Sequence, residues 1–129
     1  MRISVVGPHR DAVISKIEDA LKIEVKRPWE VNGESNILDY AAETYKYFGE
    51  HNVVFDGSPF DFLAKDNGEG YDEVNEQIAL DTLANVDYIN VITLDMDRKT
   101  YGVYKDYAAI YPDKFHFYTS YNDFELTMR

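Results

Sequence analysis

Apolar residues along this chain fall into short, nearly unbroken runs separated by longer stretches with helical spacing. Residues 2–6 contain Ile3, Val5 and Val6 and stop at Gly7-Pro8. They predict a first strand. The stretch 11–22 places Val13, Ile17, Ala20 and Leu21 on one helical face, and residues 22–26, with Ile23 and Val25, predict a second strand. A helix over 36–49 would bury Leu38, Ala41, Ala42, Tyr45 and Phe48 and end at Gly49. A third strand over 52–55 then carries Val53, Val54 and Phe55 straight into an acid, Asp56.

After Asp56 and Gly57 a helix restarts at once. Ser58 is placed to cap it, Pro59 occupies its first position, and Asp61 lies near the positive end of its dipole. Acids and glycines at 66–70 break that helix, and their spacing does not match a calcium loop. A helix over 71–85 has Val74, Ile78, Ala79, Leu83 and Val86 as its stripe, and a strand over 88–94 follows. Residues 95–100 predict a loop, 104–110 a helix ended by Pro112, 115–121 an edge strand, and 122–129 a short helix or tail. Strand and helix alternate throughout, which predicts an α/β fold: a three-layer sandwich with a parallel sheet and right-handed crossovers.

Length sharpens this to one domain spanning 129 residues. No run of apolar residues is long enough to span a membrane, and the N-terminus opens as a strand rather than as a signal peptide. The absence of cysteine excludes disulfides and thiolate zinc sites and fits the cytoplasm of a bacterial or phage-infected cell. His9, His51 and His116 have no metal-ligand spacing, so no metal is expected. A net charge of −11 argues against direct nucleic-acid binding and permits a basic protein partner. Tyr104, Tyr107 and Tyr111 share one helical face and are interface candidates, because tyrosine buries area while keeping a polar tip.

The segment Val53-Val54-Phe55-Asp56-Gly57-Ser58-Pro59-Phe60-Asp61-Phe62-Leu63-Ala64 resembles P-loop NTPases of the nucleotide-kinase and AAA-like type. In these an apolar strand ends in Asp-Arg-Ser-Pro-Leu-Asp-x-Leu-Ala or a close variant. The resemblance extends more loosely from Met1 to about Leu94. It implies a sheet of about five strands in the P-loop kinase-like order 2-3-1-4-5, in a domain truncated after the fourth strand.

The resemblance also implies a Walker A loop beginning at Gly7, whose working form is Gly-x-x-x-x-Gly-Lys-Ser/Thr. Aligned from Gly7, the second glycine becomes Ala12, the phosphate lysine Val13 and the magnesium hydroxyl Ile14. Gly57 stands where the family has an arginine. Gly7, Pro8, His9, Arg10 and, from a lid after the fourth strand, Arg98 are then vestigial phosphate contacts. If the domain were active, Glu30 would be the base, Asp56 would position Mg, and Asp61 would accompany them. The expectation is a non-catalytic, degenerate domain without cofactor that binds protein as a regulatory or inhibitory module, a profile that fits a short bacteriophage protein. Two alternatives stay open: an active nucleotide or nucleoside kinase using ATP and Mg, and an acidic nucleic-acid mimic that occupies a basic host protein.

Overall fold

The computed structural model describes residues 2–21, 25–26, 45–49, 52–65 and 72–120. Strands β1 (Arg2–Val6), β3 (Val53–Asp56), β4 (Tyr88–Ile92) and β5 (Phe115–Tyr118) pair in parallel. The two-residue strand β2 (Val25–Lys26) pairs with the outer side of β3, so the spatial order is β2–β3–β1–β4–β5. Register places Ile3 beside both Val54 and Tyr88. The expected α/β class with an all-parallel sheet holds.

Which strands lie inside follows from their side chains. Ile3 to Val6 and Val53 to Phe55 are fully buried, as a strand needs when helices cover both faces. Strand β5, at the sheet edge, is less covered: Phe115 is buried, His116 and Tyr118 are half-buried and Phe117 is exposed. On one face, Ile3, Val5, Val54 and Ile92 pack against Val13, Ile14 and Ile17 of α1 (Arg10–Leu21). On the other, Val6, Phe55, Ile89, Val91 and Phe115 pack against three helices: α2 (Phe60–Lys65), α3 (Asp72–Asn85) and α4 (Arg98–Ile110). Phe60, Leu83 and Tyr104 are among their contributions to that layer.

Several boundaries differ from the expectation. The stripe of α1 is centred between Val13 and Ile14, which makes Ile14 a core residue and leaves Ala20 exposed on the margin. Helix α4 begins six residues earlier than expected, because Asp97 caps it: its side chain accepts from Thr100 N at 2.7 Å. Residues 98–100, expected as loop, are therefore helical. Strand β3 includes Asp56, β4 ends at Ile92, and β5 ends at Tyr118. Most of the helix expected over 36–49, the breaker at 66–70 and the segment 122–129 lie outside the described residues.

The sheet interior holds two polar side chains with unmet demands. Asn90 Nδ2 donates to Ser4 O at 3.3 Å, but Asn90 Oδ1 and Ser4 Oγ have no hydrogen-bond partner among the described residues.

Candidate functional site

The carboxyl ends of β1 and β3 are neighbours. From β1 the chain enters α1 on one face of the sheet, and from β3 it enters α2 on the other. Open parallel sheets bind ligands in the crevice made by such a divergence. Here the crevice carries the two stretches singled out from sequence, Gly7 to Arg10 and Asp56 to Asp61.

The first stretch is short. Only Gly7, Pro8 and His9 separate β1 from α1. Gly7 has φ +130°, and a Cβ there would stand 2.3 Å from Ile92 O. Its lack of a side chain thus answers the close approach of β4 as well as the turn. Pro8 and His9 are exposed. His9 Nε2 lies 2.8 Å from Asp95 Oδ2, an exposed pair whose acid has φ +59°.

Arg10, the first residue of α1, turns across the crevice. Its Nε donates to Asp56 Oδ1, and one terminal nitrogen donates to Gly7 O at 3.1 Å. The Asp56 side chain is 2% exposed and that of Arg10 30%. Burial works to lower the guanidinium pKa, but the hydrogen bond and charge of Asp56, with the charges of Asp61 and Asp11, raise it above its ordinary value. Gly57, at φ +95°, donates its N–H to Val5 O at 2.9 Å and ties the end of β3 to β1. That backbone conformation suits glycine and disfavours the arginine of the resembling family.

Ser58 begins a second network. Its Oγ accepts from Phe60 N at 3.2 Å, the capping role expected from sequence. It also meets the hydroxyl of Tyr104 at 2.6 Å, which in turn donates to Asp61 Oδ1 at 2.8 Å. With the Tyr104 proton on Asp61, the Ser58 hydroxyl donates to Tyr104, and all three groups are satisfied. Complete burial, then the charge of Asp61, push the Tyr104 phenol well above its usual pKa of 10.0.

The structure thus brings Gly7, Arg10 and Asp56 together, with His9 beside them and Asp61 close enough to act on Arg10 by charge. Positions 11 to 14, aligned above with a phosphate loop, are helical. Val13 and Ile14 are each 1% exposed and face the sheet, so the positions for the phosphate lysine and the magnesium hydroxyl point into the core. Arg98 lies exposed in the first turn of α4 rather than in a loop, and makes no ion pair among the described residues. Glu30 lies outside the described residues.

The tyrosine face needs correction. Tyr104 is fully buried, and Tyr107 is half-buried with its hydroxyl donating to Glu76 at 2.7 Å; Tyr111 alone of the three is exposed. Tyr104 and Tyr107 line the core, where Phe60 packs at a tilt with ring centres 5.9 and 4.8 Å away. The Tyr104 bridge and the His9–Asp95 pair were not anticipated. The capping pattern Ser58-Pro59-x-Asp61 marked one end of the first, and nothing local marked the second.

Among the described residues no cluster of three or more acids or histidines could hold a metal, and no helix is long and apolar enough to cross a membrane. No family model, curated protein or solved structure matches the chain.

Proposed function

We propose that this chain is a degenerate relative of P-loop kinase-like domains that acts by binding another protein and does not turn over nucleotide. The observation that carries this reading is the Arg10–Asp56 pair, which fills the β1/β3 crevice with the protein's own charges. A nucleotide phosphate could recruit Arg10 only by stripping a buried carboxylate of its cation, a costly exchange. The three-residue turn supports the reading too, since it offers few backbone N–H groups to surround a phosphate. The strand order with β1 central, flanked by β3 and β4, supports the kinship to kinase-like P-loop folds. The charge of −11 makes a basic protein surface the favoured partner.

Thermal denaturation with ATP, GTP and deoxynucleoside monophosphates, each with magnesium, tests the proposal. The midpoint should stay where it is in magnesium alone. A rise with nucleotide, of the kind mass action gives at ligand concentrations well above Kd, would overturn it in favour of an active kinase.

A further inference from the structure

We draw no further inference here: the strongest candidate, the surface patch on α3 where Glu73 and Glu76 are exposed on a helix that contains no lysine or arginine, is an acidic cluster with no second observation among the described residues that points to a ligand.

Discussion

The guanidinium of Arg10 rests on the carboxylate of Asp56 across 46 positions of sequence, at the point where β1 and β3 send the chain to opposite faces of the sheet. Asp56 is nearly sealed from solvent and Arg10 is not. The pair is therefore asymmetric: losing the arginine takes the cation from a buried carboxylate, while losing the acid leaves a cation that can still reach water.

That asymmetry fixes the order of two substitutions. Arg10→Ala should cost about 2–3 kcal/mol of stability, somewhat less than breaking a fully buried pair because Arg10 is partly solvated. Asp56→Asn, which removes the charge but keeps the shape, should cost less. Urea unfolding of both and of the double variant measures the coupling. If the pair instead served nucleotide binding, Arg10→Ala would leave stability nearly unchanged and lower nucleotide affinity.

Two glycines should respond in opposite directions to alanine. Gly7→Ala combines a positive φ with a Cβ only 2.3 Å from Ile92 O, and should destabilise by about 3 kcal/mol. Gly102→Ala puts a better helix former into open space and should stabilise the fold by about 0.5–1 kcal/mol. Thermal melts of the two variants distinguish these outcomes.

Tyr104 makes the fold sensitive to alkali. Its native pKa lies well above the 10.0 of an exposed phenol, chiefly through burial. Below pH 10 both native and unfolded chains keep the proton, so the stability it contributes is fully present. Above pH 10 the unfolded chain loses the proton first and stability falls. Tyr107 acts in the same direction, its pKa pushed up to about 12 by burial and by Glu76. An ultraviolet titration should show tyrosine ionising together with unfolding. Tyr104→Phe should move that transition to higher pH, at a neutral-pH cost of about 1–2 kcal/mol for leaving Ser58 and Asp61 short of a partner.

Ser4 lies in the centre of the sheet with a hydroxyl that has no hydrogen-bond partner among the described residues. Ser4→Ala removes an unmet polar group without opening much space. It should be neutral or stabilise by up to about 1 kcal/mol, read from the urea midpoint. A loss of more than this would show that a water satisfies the hydroxyl in solution.

The layered α/β class was legible because strand-like apolar stretches, of which Val53 to Phe55 is unbroken, alternate with stretches of helical spacing. The Ser58 cap was legible for the same reason: its signal is local. The site was only half legible. The alignment with a phosphate loop ran through positions 11 to 14, whereas the helical spacing placed them in a helix from 11, one residue from the observed start at Arg10. The tyrosine face misled because Tyr104 bears a hydroxyl whose buried partners, Ser58 and Asp61, lie more than forty positions away in sequence. Pairings at that distance depend on how β3 and β4 are seated, which no local pattern reports.

The brevity of the turn after β1 bears on how this protein could ever change. A lysine placed at position 13 would drive an ammonium beneath the sheet, where Val13 sits 1% exposed, and would damage the fold before it touched any anion. Gripping a phosphate at this turn would demand inserted residues and a displaced helix, which no point mutation supplies.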